Sequence, residues 1–371
     1  MFSKKHFWSI LLSRFPFHSS IEYTYRDLQL NLCVFSEDIM KRFNLSIILL
    51  SLLFVTGCNQ STPLDQEPLG QTLHPEINHL ISPKVIPDRY LLEPITEINL
   101  EAKSAILISA QNGDIFFDKN SRESLGVASM SKIMSELLIL EAIEKGVMDW
   151  DDSVTISDYA YTISHQPGFA SIKLEQDQLY SVRELFHGMA ITSANGATIA
   201  LAEAVAGSEK EFVTLMNEKA KRLGLEDTHF VNSTGLTNHD LQNYHHTGSV
   251  DDYNKMSASD LATLTRYIID NYPDLLEVTN VTEFDVQGET FENSNWMLPG
   301  ATGNFVDIDV TFEGVDGLKT GFTSDAGYGF TGTVQIGESR FISVVIGTET
   351  IEERFIETGK LYEAISEQLN D

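Results

Sequence analysis

In the stretch SAILISAQNGDIFFDKN (104–120), apolar positions fall in two short runs on either side of Asn112-Gly113. Two such runs around that dipeptide predict an antiparallel hairpin closed by a tight primed turn, because Asn and Gly tolerate the positive φ it needs. In MSKIMSELLILEAIEKG (130–146) the period changes. Ile133, Leu137, Leu140 and Ile143 recur at helical spacing and the pattern stops at Gly146, which predicts a helix ending there. Helical spacing returns in VRELFHGMAI, GATIALAEAVAG and SEKEFVTLMNEKAKRLG, and again in SASDLATLTRYIIDNYP. Toward the C-terminus, GLKTGFT, YGFTGTVQIG and SRFISVVIGT are rich in β-branched and aromatic residues and read as strands. EERFIETGKLYEAISEQLN turns helical again. Strands at both ends with helices between them predict an α+β unit whose sheet is assembled from distant segments. Roughly 270 residues suffice for a full-sized core in such a unit.

The first hundred residues follow another pattern. MKRFNLSIILLSLLFVTGCNQ (40–60) has a basic start at Lys41 and Arg42, an apolar run, and then Val-Thr-Gly-Cys. That is signal-peptide anatomy. The run of about 14 residues is short of the roughly 20 that span a bilayer; a buried core helix is the structural alternative. The segment resembles a bacterial lipoprotein signal, with Val55-Thr56-Gly57-Cys58 in the place of the lipobox. That resemblance implies cleavage after residue 57 and a lipid on Cys58. A signal peptide should open a chain, so translation is expected to begin at Met40, with residues 1–39 an overextended gene start. The proline-bearing stretch after Cys58 reads as a tether over 58–95, with the folded domain at 96–371.

The chain has 371 residues, 42% hydrophobic and 21% charged, ordinary values for a globular protein. Its charge is not ordinary: 54 acidic residues against 25 basic give −29. Nucleic acid is therefore excluded as a natural partner, since phosphate contacts need clustered Lys and Arg. Such a surface favours solubility and suits a salty or alkaline external medium. The two cysteines, Cys33 and Cys58, both lie at the N-terminal end. No disulfide framework or Cys-based zinc site is available to the main body. His74, His79 and the pair His245-His246 lack an HExxH pattern and read as solvated or capping residues. No metal or other cofactor is expected.

The chemistry is concentrated in three short elements. Ser129 and Lys132 in VASMSKIM stand three apart at the head of the expected helix, on one face. A serine hydroxyl is a weak nucleophile until a base takes its proton. A lysine can be that base if burial or a neighbouring cation lowers its pKa. By itself the pair is a weak signal. ITSANGATIALAEA adds Ser193-Ala194-Asn195 just before a helix, where helix capping is the bland alternative. VDGLKTGFTSDAGYG adds Lys319-Thr320-Gly321 on an expected strand. In this order, on these elements, the three sets match the active-site elements of the penicillin-recognising serine enzymes.

The words ASMSK, MNEKAKRLGLEDTHFVNSTGL, VDGLKTGFTSDAGYG and SRFISVVIGT closely resemble D-alanyl-D-alanine carboxypeptidases of the low-molecular-weight penicillin-binding type, from about residue 100 to about 365. The resemblance implies the penicillin-binding/β-lactamase-like fold: a helical subdomain against a five-stranded antiparallel sheet, with the active site in the cleft between them. It implies acylation of Ser129, with Lys132 as proton acceptor and Ser193 and Asn195 on the opposite wall. Lys319 would supply positive charge. The backbone N–H groups of Ser129 and Phe322, the residue after Gly321, would form the oxyanion hole. Thr320 and Arg354 would hold the substrate carboxylate. The implied partners are peptidoglycan stem peptides ending in D-Ala-D-Ala, β-lactams as inhibitors, and a membrane reached through the N-terminal lipid, outside the cytoplasm.

The sequence departs from that family at several points. Ser131 stands where threonine is more usual, Phe322 where histidine is common, and Gly196 follows Asn195 where many relatives have aspartate, expected to loosen the turn. The chain also ends soon after the catalytic domain, where the N-terminal lipid is expected to replace the C-terminal anchor of relatives. Three alternatives stay open. A class A β-lactamase would need a Glu-x-x-Leu-Asn loop, and none lies between Asn195 and Lys319. A D-alanyl endopeptidase would share every motif. A non-catalytic wall-binding lipoprotein would keep only the fold.

Overall fold

The computed structural model describes residues 92–301 and 308–370. The signal-like segment, Cys33, Cys58, His74 and His79 lie outside the described residues. Five strands form one antiparallel sheet: β1 Ser104–Ser109, β2 Ile115–Lys119, β3 Val315–Thr323, β4 Gly327–Ile336 and β5 Ser339–Thr348. Their spatial order is β2-β1-β5-β4-β3, so the first strand pairs with the last, Ser104 opposite Ile346 and Ser109 opposite Phe341. The segments near the two ends of the unit thus make one sheet, as the sequence pattern predicts.

Side-chain alternation along the strands divides the interior in two. Ile106, Ile108, Ile342, Val344 and Ile346 face the larger core, shared with the helical subdomain. Leu107, Phe341 and Val345 face a smaller core with Phe355, Leu361, Tyr362 and Ile365 of the C-terminal helix. The sheet is therefore a middle layer with both faces covered, which explains why its central strands read as continuous apolar runs.

The subdomain is built from α1 Lys132–Glu144, α2 Asp158–Ser164, α3 Val182–Ile191, α4 Asn195–Ala206, α5 Glu209–Leu223 and α6 Ala258–Asn271; α7 Glu353–Asn370 is the C-terminal helix. The ends of these helices follow local chemistry. Ser181 and Glu184 form a capping box at α3, Ser208 caps α5, and Gly224 ends α5 in the left-handed region. Helix α1 is preceded by one 3₁₀ turn, Ala128–Ser131. Every residue from Lys132 to Ile139 is buried, polar ones included. Ile133 and Leu137 are part of a helix enclosed all round rather than of a single buried stripe.

Two local expectations change. The hairpin does not close with a two-residue primed turn: Gly113 has φ +80°, but Asn112 does not enter the left-handed region. A five-residue loop, Ala110–Asp114, joins the strands instead, with the Gly113 N–H donating to Ser109 O at 2.9 Å. Arg266 on α6 holds this loop by donating to the carbonyls of Ala110 (2.8 Å) and Gln111, a tertiary clamp that local propensity cannot show. Gly196, rather than loosening its turn, permits a close approach. A Cβ there would lie 2.6 Å from Ser164 Cβ and 2.7 Å from Ala160 O, so the glycine lets α4 pack against the backbone of α2. The helix Asp158–Ser164 and the hairpin Glu283–Val286/Glu289–Glu292 are formed by stretches that carry little periodic signal.

Candidate active site

The turn carrying Ser129 is wedged between two backbones. Ala128 has φ +47°, an uncommon conformation for a residue with a Cβ. A Cβ on Gly321 would lie 2.7 Å from Val127 O and 3.2 Å from Met130 N, so only glycine lets edge strand β3 reach this turn. From the other side, a Cβ on Gly235 would fall 2.0 Å from Ala128 O. Ser131, in place of the more usual threonine, keeps a hydroxyl that donates to Ala128 O at 2.8 Å and accepts from Asn254 Nδ2 at 3.0 Å.

Lys132 is completely buried, and its Nζ has three partners: Ser129 Oγ at 2.9 Å, Asn195 Oδ1 at 2.8 Å and the backbone carbonyl of Thr234 at 2.6 Å. Burial pushes its pKa well below that of a free lysine; the charge of Lys319 lowers it further and Glu136 opposes the shift. Asn195 is oriented by the loop before α3: its backbone N–H and its Nδ2 both donate to Ala170 O, at 3.0 and 3.2 Å. Ser193, at φ +66°, is buried, and its Oγ has no hydrogen-bond partner among the described residues. Lys319 is buried, donates to Thr320 O at 3.3 Å, and its pKa is drawn down to about 8, chiefly by burial.

Thr320 Oγ1 and Ser294 Oγ lie 2.8 Å apart, and Ser294 Oγ donates to Ile191 O at 3.3 Å, tying β3 to the end of α3. Phe322 points outward, half exposed, and stacks on Tyr328 with ring centroids 4.1 Å apart. Arg354 lies behind β3, between the rings of Tyr328 and Phe355 (5.6 and 4.6 Å), and donates to Gly321 O at 3.4 Å. Its Nε has no partner among the described residues, and burial lowers its pKa to about 10. The structure thus brings Ser129, Lys132 and Asn195 into direct contact, with Lys319 within electrostatic reach of Lys132. Thr320, Gly321, Phe322 and Arg354 cluster along β3.

Several contributors escape sequence reasoning. The Thr234 acceptor is a backbone carbonyl and has no residue signature. Its loop is fixed by Asn232 Oδ1, which accepts the N–H groups of Thr234 (3.1 Å) and Gly235 (2.8 Å), and by buried Glu209. That carboxylate accepts from the Ser233 N–H (2.9 Å), the Ser233 hydroxyl (2.7 Å) and the Tyr159 hydroxyl (3.1 Å). Ser294 is likewise far from any motif, and Glu136, one turn past Lys132, lies outside the Ser-x-x-Lys signature. His246 meets the Tyr159 ring edge-on, and His245 Nδ1 contacts the carbonyl of Gln242.

A sheet covered on both faces, with a Ser-x-x-Lys turn at the head of a buried helix and a Lys-Thr-Gly edge strand beside it, is the architecture of the penicillin-binding serine enzymes. Residues 93–350 match the D-alanyl-D-alanine carboxypeptidase family model, and the chain belongs to that family. It is 38% identical over 266 residues to D-alanyl-D-alanine carboxypeptidase DacF of Bacillus subtilis, and 32% identical over 264 residues to DacD of Escherichia coli. These alignments take in 72% and 71% of this chain but 62% of each relative, so the chain spans less than two thirds of their length. Among solved structures, it resembles a peptidoglycan synthesis regulatory factor (PBP3) from Streptococcus pneumoniae, with TM-score 0.68, 36% identity, and coverage of 72% of this chain and 74% of that one. It also resembles penicillin-binding protein D2 from Listeria monocytogenes in its cefotaxime-bound form, with TM-score 0.62, 31% identity, and coverage of 73% and 99%.

Proposed function

We propose that this protein is a serine-type D-alanyl-D-alanine carboxypeptidase that removes the terminal D-alanine from peptidoglycan stem peptides outside the cytoplasm and is acylated by β-lactams. One observation carries the reading. Lys132 Nζ has two carbonyl partners, Asn195 Oδ1 and Thr234 O, and one hydroxyl partner, Ser129 Oγ. Carbonyl oxygens only accept, so in the neutral amine they take its two N–H groups. The lone pair is then left for the proton of Ser129. Burial and Lys319 both favour that neutral form.

The reaction is acyl transfer in two steps. Ser129 Oγ attacks the carbonyl carbon of the D-alanyl-D-alanine bond while its proton passes to Lys132 Nζ. The developing oxyanion is held by the N–H groups of Ser129 and Phe322, each such donor being worth about 3 kcal/mol of the barrier. As the C–N bond breaks, the leaving amine takes a proton from Lys132. Ser193, whose buried hydroxyl has no partner among the described residues, relays it. Water then attacks the ester, losing its proton to the same base, and Ser129 is regenerated. In a β-lactam the cleaved amine stays tethered to the acyl group, so the ester is long-lived. Thr320 and Arg354 recognise the terminal carboxylate, Arg354 acting through the strand it supports.

A fluorescent penicillin is expected to label the purified protein covalently and to leave Ser129→Ala unlabelled. Equal labelling of the two, or no labelling of the native protein, removes the catalytic reading. Digestion of peptidoglycan by the labelling-competent enzyme is expected to release D-alanine; monomers formed from cross-linked dimers would reassign it as an endopeptidase. We further propose that Cys58 is the lipidated N-terminus of a chain started at Met40, supported by the basic start, apolar run and Val-Thr-Gly-Cys of residues 40–58.

A further inference from the structure

Glu136 stands one turn beyond Lys132 on α1 and is completely buried. Neither of its carboxylate oxygens has a hydrogen-bond partner among the described residues. A buried carboxylate without donors is expensive to ionise and survives only where opposite charge compensates it. Two cations supply that charge: Lys132 on the same helix and Lys319 on β3, of which Lys319 acts on it more strongly. Two other charges act on Lys319: Glu136, which favours its protonated form, and the Arg354 guanidinium, which disfavours it. Without a compensating anion, burial and Arg354 would both strip its proton.

We propose that Glu136 is a positioning residue: it is the internal counter-charge that keeps the buried Lys319 protonated, and through Lys319 it keeps Lys132 available as the base. The arrangement solves a problem posed by the site. Two buried lysines side by side cannot both carry charge without help, yet acylation needs one neutral and the other cationic. Asymmetry decides which. Lys132 feels the charge of Lys319 more than that of Glu136, whereas Lys319 feels Glu136 more than Arg354. Burial raises the Glu136 carboxyl and the two lysines oppose that rise, while burial lowers Lys319 and Glu136 opposes that fall.

This inference rests on the acyl-transfer reading above, and one experiment separates the two. The rate of acylation by a fluorescent penicillin is followed from pH 5 to 10 in the native protein, in Glu136→Gln and Glu136→Met, and in Glu136→Asp. The native profile is expected to rise as Lys132 becomes neutral and to fall as Lys319 deprotonates. In Gln and Met, which remove the charge, the falling limb should move to lower pH by about one unit or more. Asp, which keeps the charge, should stay within a few tenths of a unit of the native limb. Met guards against a misfolded Gln variant, because replacing a buried charge by an apolar group of similar size is commonly tolerated. Falling limbs that superimpose in all four proteins, or that shift equally in Asp and Met, overturn the counter-charge role while leaving the acyl-transfer reading intact. A native protein that is not acylated at any pH overturns both.

Discussion

A neutral amine with two carbonyl acceptors has one lone pair left, and at Lys132 the third partner is Ser129 Oγ. Asn195 is the first residue of α4 rather than its cap, and its Oδ1 consumes one of the N–H groups. Replacing it by alanine leaves a buried N–H without an acceptor, a loss of about 1–3 kcal/mol. Asn195→Ala is expected to slow acylation about ten- to a hundredfold, read from time courses of penicillin labelling, with the far-UV circular dichroism unchanged. Asn195→Asp tests the sign. A carboxylate at that place favours the ammonium form, so the pH at which acylation begins should rise rather than merely the rate fall. A variant that labels at the native rate with the native pH dependence would show that the Asn195 amide does not set the state of Lys132. At this scale the motif residues were legible because nucleophile, base and amide have fixed chemical identities. Thr234 was not, since the atom that matters there is a backbone carbonyl common to every residue.

At the scale of elements, the site exists because three backbones meet at the Ala128–Ser131 turn: β3 at Gly321, the 232–236 loop at Gly235, and α1 leading away from it. A methyl group at Gly321 would press on Val127 O and Met130 N, both backbone atoms that cannot rotate aside. Gly321→Ala is expected to cost about 1–3 kcal/mol of stability, seen in thermal denaturation. It should lower acylation by a hundredfold or more, because the strand carrying Lys319 and the Phe322 N–H is pushed from Ser129. Native acylation in this variant would mean that the strand can give way without harm. The long helices and the C-terminal strands were readable from periodicity and caps, such as Ser181 with Glu184. The hairpin turn was not, because Arg266, more than a hundred residues away in sequence, reshapes it.

For the whole molecule, the proposed anchor and the folded unit are encoded by separate stretches of chain. The lipid proposal makes a clear demand on the former. Expressed in a bacterial host with its full N-terminal segment, the mature protein should fractionate with membranes, and its first residue should be a modified Cys58 by mass. Cys58→Ser should remain unprocessed or lack the lipid mass. An unmodified Cys58 in the native mature protein would sink the anchor, and peptides from residues 5–39 in the precursor would sink the start at Met40. The order β2-β1-β5-β4-β3 is a property of the same scale. It places Lys319 on an edge strand beside a helix that begins almost two hundred residues earlier. By itself, the sequence determined which residues could do chemistry and which stretches would be helix or strand, because side-chain identity and hydrophobic period are local properties. Only the tertiary structure decided that Lys132 is buried against two carbonyls, that Glu136 is buried without a hydrogen-bond donor among the described residues, and that Lys319 is close enough to bias both. Desolvation and Coulomb interaction depend on distance in space, and the chain brings those groups together only when it folds.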